Sequence, residues 1–150
     1  MSPLISKLNS QDLNQFIALI RVFEDVFEME NFRIPDENHL QNLLSTDNFH
    51  VFVSLVDNQV VGGLTAYTLE QYYSERPLVY IYDLAVQTRY QRQGIGKMLM
   101  AAINQYCREA GMEEVFVQAD EVDDHAIEFY RSTGGIAEKV VHFYYPLNTR

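Results

Sequence analysis

The sequence predicts a mixed α/β domain, and three observations predict it. Runs of β-branched and aromatic residues alternate with runs whose apolar residues recur at helical spacing. Two of the β-type runs, "FHVFVSLV" and "VVGGLTAYTL", are separated only by the turn "DNQ" and read as a hairpin. A third, "LVYIYDLAV", leads through a polar loop to a glycine pair and a helical pattern. At 150 residues the chain has the size of a single domain, 1–150, around one core.

Taken in order, "LISKL" (4–8) reads as a short strand. Ser10 can cap a helix from about Asp12 to Phe27, with Leu13, Phe16, Ile17, Ile20, Phe23 and Phe27 on one stripe. Pro35 opens a second helix with Leu40, Leu43 and Leu44 inward. The hairpin follows over 49–56 and 60–69, then a polar loop with Pro77 and the strand 78–86. "QTRYQRQ" reads as a loop, and "GIGKMLMAAINQYCREAG" as a helix closed by Gly111. "EEVFVQA" (113–119) is a strand, Asp123 or Asp124 caps a helix to about Ser132, and "AEKVVHFYYPL" (137–147) is the last strand. The expected order is therefore βααβββαβαβ.

The composition narrows the function. No apolar run reaches the ~20 residues that span a bilayer, and "MSPLISKLNS" lacks the design of a signal peptide. The single cysteine, Cys107, allows no disulfide framework, which fits a cytoplasmic protein. The four histidines show no paired metal spacing, so no metal is expected. A net charge of −10 argues against a nucleic-acid partner and favours a cationic one. The acids are sorted into two blocks, Glu24–Glu37 and Glu113–Glu128, around a basic loop holding Arg89, Arg92 and Lys97. Either block alone also fits a solvated helix face.

The loop "QRQGIGK" (91–97) joins a buried strand to a helix start. Two glycines let its N–H groups converge, and the helix adds unpaired N–H groups and its positive end, a combination suited to a pyrophosphate. The Walker pattern is absent, and a dinucleotide fingerprint would need glycine where Leu99 stands. What remains is Gln91-x-x-Gly94-x-Gly96. Downstream, "DDHAIEFYRSTGG" (123–135) resembles the Asn-x-x-Ala-x-x-Phe-Tyr-x-x-x-Gly helix of the GNAT superfamily of N-acetyltransferases, matching at Ala126, Phe129, Tyr130 and Gly134. Asp123 stands where that family usually has Asn, and "GG" replaces its common Gly-Phe. "YIYDLAV", "QRQGIG", "VQAD" with "DDxA", and the closing "VxHF" further resemble the aminoglycoside 3-N-acetyltransferases within it.

The resemblance implies the GNAT fold, a mixed and mostly antiparallel sheet flanked by helices, with splayed central strands. It implies acetyl-CoA as cosubstrate, an aminoglycoside as the cationic substrate, resistance as the outcome, and a homodimer. It implies that the backbone of Leu84, Ala85 and Val86 pairs with the pantetheine arm. Loop residues Gln91, Arg92, Gln93, Gly94, Ile95, Gly96 and Lys97 would hold the pyrophosphate, with Asp123 and Ala126 also at the cofactor. Tyr130 would protonate the leaving thiolate; a phenol near pKa 10 and a thiol near 8.5 make that transfer close to balanced. The other reading of Tyr130 is an aromatic packed at a helix–sheet seam.

Asp83 is the anomaly of the apolar strand 78–86. Simple alternation would put Ile81, Asp83 and Ala85 on one face and Tyr80, Tyr82, Leu84 and Val86 on the other. A carboxylate one residue before the expected thioester site could take a proton from the attacking ammonium or orient the amine. It could instead be a buried Asp satisfied by backbone N–H groups or a tyrosine hydroxyl. Glu28, Asp120, Glu121 and Asp124 would line the cleft for a polycation. His142 reads as a base or ligand, or as a hydrogen-bonded residue of a core strand. Two alternatives remain open: an acetyltransferase for a polyamine or other small cationic amine, and a non-catalytic sensor that binds CoA.

Overall fold

The computed structural model describes residues 2–148, which divide into two compact units between Gln118 and Ala119. The first unit holds β1 (Leu4–Lys7), α1 (Leu13–Val26), α2 (Glu37–Leu44), β2 (Phe49–Val56), β3 (Gln59–Leu69), β4 (Leu78–Val86), α3 (Ile95–Glu109) and β5 (Glu114–Val117). The second holds α4 (Asp124–Ser132).

The five strands lie in the order β1-β2-β3-β4-β5. The first three pairings are antiparallel, and β4 with β5 is parallel. This is the mixed, mostly antiparallel sheet that the resemblance implies. The hairpin turn is made by Asp57 and Asn58, both at positive φ, which matches the right-handed twist of the flanking strands. The β4–β5 pairing runs only from Leu78 opposite Glu114 to Ile81 opposite Val117. Beyond Ile81 no strand among the described residues pairs with β4 on that side, so β4 and β5 part there.

Alternation along β2 sends Phe49, Val51 and Val53 into the core under α1 and α2, together with Leu8, Phe16, Leu19 and Leu40. It sends His50 and Phe52 the other way, where both rings meet Tyr106 of α3. His50 is buried there, its Nε2 2.6 Å from Thr68 Oγ1. One helix layer thus covers each face of the sheet.

The buried stripe of α1 differs from the expected one. Phe16 and Phe23 are buried as expected, but so are Leu19 and Val22, while Phe27 is partly exposed and stacks on Phe23. The reason lies in β3. A Cβ on Gly63 would stand 2.5 Å from Phe52 O and 2.7 Å from Leu19 Cδ1, so the missing side chain is what lets α1 press Leu19 onto the sheet. Gly63→Ala is expected to destabilise the protein by about 1–3 kcal/mol through overpacking. An unshifted melting temperature would contradict that contact.

The helix starts differ from the expected ones. Pro35 lies one residue before the N-cap of α2, which is Asp36, accepting from His39 N at 2.9 Å. Ser10 does not cap α1: the N-cap is Asp12, and its carboxylate accepts from Asn9 N instead. The loop after β4 contains a short 3-10 turn, Thr88–Tyr90. The predicted last strand, 137–147, does not form among the described residues. Its apolar side chains, including Val141, Phe143 and Tyr145, stand exposed. Residue type alone suits a strand, but a strand exists only where its backbone finds a ladder partner.

Candidate active site

The site begins with an irregularity in β4. Thr65 pairs with Asp83, and Ala66 pairs with Ile81, so Tyr82 is the extra residue of a β-bulge. The bulge resets the alternation. Asp83 and Ala85 oppose Thr65 and Gly63 on the α1 face, whereas Ile81 opposes Ala66 on the α3 face. Ile81 therefore does not share a face with Asp83, contrary to simple alternation. Tyr80, opposite Tyr67, does share it.

Three tyrosines consequently gather on Asp83's side of the sheet. The rings of Tyr67 and Tyr82 lie 6.1 Å apart and those of Tyr80 and Tyr82 5.9 Å apart, both edge to face. Tyr80 stacks on Phe116 at 4.8 Å, and its hydroxyl donates to Gln118 Oε1. Burial raises the pKa of Tyr67 and Tyr80, and the charges of Tyr82 and Asp83 push them further up. Sequence reasoning placed Tyr80 and Tyr82 on the wrong face, and only the strand register could have corrected it.

Asp83 is half-buried, and desolvation pushes its carboxyl from 3.8 up to about 6. Among the described residues no backbone N–H and no tyrosine hydroxyl donates to it, so the hydrogen-bonded structural role considered above lacks its donors. The group is ionised at neutral pH yet weakly held in that state, which is the condition of a proton acceptor.

β4 leads into the loop 91–97, tied back by Gln91 Nε2, which donates to Val86 O at 2.9 Å. Gln93 Nε2 donates to Arg89 O at 3.3 Å. Arg92 has φ 62° and Gly94 φ 84°, so the loop turns twice through the left-handed region before α3. Gly94 is the N-cap and no side chain caps the helix, leaving first-turn N–H groups of Ile95, Gly96 and Lys97 available to a ligand. Arg92 and Lys97 are exposed beside them. Leu84, Ala85 and Val86 occupy the part of β4 that β5 does not pair. Strand, splay and loop together suit a long phosphorylated ligand with an amide-bearing arm.

Glu28 closes α1 at φ 51° and lines a shallow depression with Glu24, Asp25 and Glu30. The structure draws no contact between it and Asp83. In the second unit, Asp123 caps α4 by accepting from Ala126 N at 3.1 Å, so the carboxylate does the capping work that Asn would do. Asp120 O accepts from Asp123 N at 2.9 Å, and Glu121 and Asp124 are exposed. Tyr130 is half-buried, its ring edge-on to Phe129 at 5.1 Å. The "GG" closes the helix: Gly134 N donates to Arg131 O and Gly135 N to Tyr130 O, each at 3.0 Å. His142 lies in the exposed extended segment with its ring 6.4 Å from Tyr144, not in a core strand. Among the described residues no metal-binding group of His, Cys, Asp and Glu occurs, and no helix is long and apolar enough to cross a membrane.

The sequence matches the Acetyltransferase (GNAT) family over residues 16–134. Among solved structures, an aminoglycoside acetyltransferase, meta-AAC0020, from an uncultured soil metagenomic sample is 63% identical in its complex with trehalose, with 97% of each chain covered and a TM-score of 0.96. The same protein has been solved with sisomicin. A second aminoglycoside acetyltransferase from such a sample, HMB0005, is 33% identical over 99% of this chain and 100% of that one, with a TM-score of 0.92. N-acetyltransferase 8B of Rattus norvegicus is 25% identical over 67% of this chain and 50% of its own. The chain thus spans half the length of that curated relative, or less for N-acetyltransferase 8F1, at 35%.

Proposed function

The chain belongs to the GNAT family of acetyltransferases, which use acetyl-CoA, and from that we propose that it acetylates the 3-amino group of aminoglycoside antibiotics and so confers resistance. The observation that carries the reading is Asp83: a half-buried carboxylate without a described donor, pushed up to about 6, at the point where β4 and β5 part. The similarity over almost the whole chain to a protein solved with sisomicin supports an aminoglycoside as substrate. The 3-amino position rests on the resemblance of "YIYDLAV" and the surrounding motifs to the 3-N-acetyltransferases.

Bound acetyl-CoA supplies the acetyl group as an activated thioester. Leu84, Ala85 and Val86 present to its arm the edge of β4 that β5 does not pair. The loop from Gln91 to Lys97 offers N–H groups, the positive end of α3 and the charges of Arg92 and Lys97 to its pyrophosphate, while Asp123 and Ala126 contribute from the start of α4. Asp83 takes the proton of the attacking ammonium; with a pKa about 6 it is ionised at neutral pH and still basic enough to accept. Tyr130 returns a proton to the departing thiolate. Glu28, Asp120, Glu121 and Asp124 draw in the polycation. Cys107 is buried and its thiol is pushed up to about 11, which supports direct attack by the amine in a ternary complex over a cysteine intermediate.

Gly94→Asp tests the loop. Nothing lies within 4 Å of a Cβ at Gly94, so the variant meets no clash; it meets a left-handed φ and places a negative charge where phosphate would sit. Acetyl-CoA affinity by calorimetry is expected to fall at least about tenfold, the worth of one lost charge-assisted contact, with the fold kept. Unchanged affinity removes the loop from the site.

A thiol-release assay with sisomicin, spermidine and no amine tests the function itself. Turnover is expected with sisomicin, far above spermidine. Preference for spermidine makes this a polyamine enzyme, and acetyl-CoA binding without thiol release makes it a sensor.

A further inference from the structure

The bulge at Tyr82 does more than reset the strand. It leaves Tyr82 60% exposed next to Asp83 in the strand, with the rings of Tyr67 and Tyr80 edge to face against it at 6.1 and 5.9 Å. Tyr80 is itself anchored, its ring parallel to Phe116 within 7° and its hydroxyl donating to Gln118. An exposed aromatic ring backed by two others, next to a carboxylate with no described donor, offers an apolar face and a negative charge side by side. Tyr72 and Tyr73, also exposed, contact each other on the loop before β4, away from any carboxylate of the strand.

We propose that Tyr82, backed by Tyr67 and Tyr80, is the platform on which the aminocyclitol ring bearing the reacting amine stacks. The proposal rests on the acetyl-transfer reading above and adds a specificity determinant to it. The geometry suits an aminated ring: its C–H face lies on the tyrosine face while its ammonium turns to the Asp83 carboxylate, and an aromatic face also attracts a neighbouring cation. An open-chain polyamine carries the charges but has no ring to lay on that surface. The acidic residues then attract any polycation, and Tyr82 sorts rings from chains.

The test compares wild-type protein with Tyr82→Ala and Tyr82→Phe, using sisomicin and spermidine. Because Tyr82 is exposed, its truncation leaves the melting temperature nearly unchanged. Tyr82→Ala is expected to raise KM for sisomicin about tenfold, with KM for acetyl-CoA within about twofold of wild type, and to shrink the preference for sisomicin over spermidine. Tyr82→Phe keeps the ring and is expected to restore both. Wild-type KM for sisomicin in Tyr82→Ala, or a Tyr82→Phe variant as impaired as Tyr82→Ala, overturns the platform while leaving the acetyl-transfer reading intact. A wild-type protein that releases no thiol with sisomicin overturns that reading, and the platform with it.

Discussion

Asp83→Asn is expected to lower aminoglycoside turnover by roughly 10²-fold or more, the scale of a lost proton acceptor, and to raise the melting temperature near neutral pH. The two effects share one cause. Burial lifts the folded carboxyl from 3.8 to about 6, so between those values the folded state binds more protons than the unfolded one. The ionised group therefore costs stability; the cost is complete above about 6 and gone below 3.8. Each pKa unit corresponds to about 1.4 kcal/mol, and solvent at this half-buried site screens much of it. Relief on the order of 1 kcal/mol raises Tm by roughly 2–4 °C. The gain should vanish as the pH falls toward 4. A residue kept for the fold behaves oppositely: its variant melts lower and activity follows the folded fraction. Asp83→Asn with near-normal turnover ends the catalytic role.

Tyr130→Phe should lower kcat by about 10²- to 10⁴-fold, as for a lost general acid, with a much smaller change in KM for acetyl-CoA. The hydroxyl matters only as the thiolate leaves, so its loss falls on the transition state. The substitution preserves the ring and its edge contact with Phe129. A kcat within about twofold of wild type would reduce Tyr130 to packing.

What the sequence disclosed follows the range of the interactions involved. The hairpin strand 49–56 is found where predicted because its turn and its apolar run are neighbours in the chain. Gly94 before a helix is legible for the same reason, since the left-handed turn and the free N–H groups are local properties. Asp83 was conspicuous as the one charge in an apolar strand. Its surroundings were not legible. Whether Tyr80 lies beside Asp83 depends on a bulge set by pairing with β3, more than a dozen residues away. The burial of Leu19 depends likewise on Gly63. At 137–147 a β-like composition met no ladder partner among the described residues. Motifs thus named a candidate site, and register decides which side chains surround it.

Acetyl transfer to one particular amine is tested most directly by the product itself. Sisomicin incubated with acetyl-CoA and the wild-type protein should yield a monoacetylated product whose NMR spectrum places the new amide on the 3-amino group of the central ring. An acetyl group on another amine, or no acetylated product at all, would contradict it.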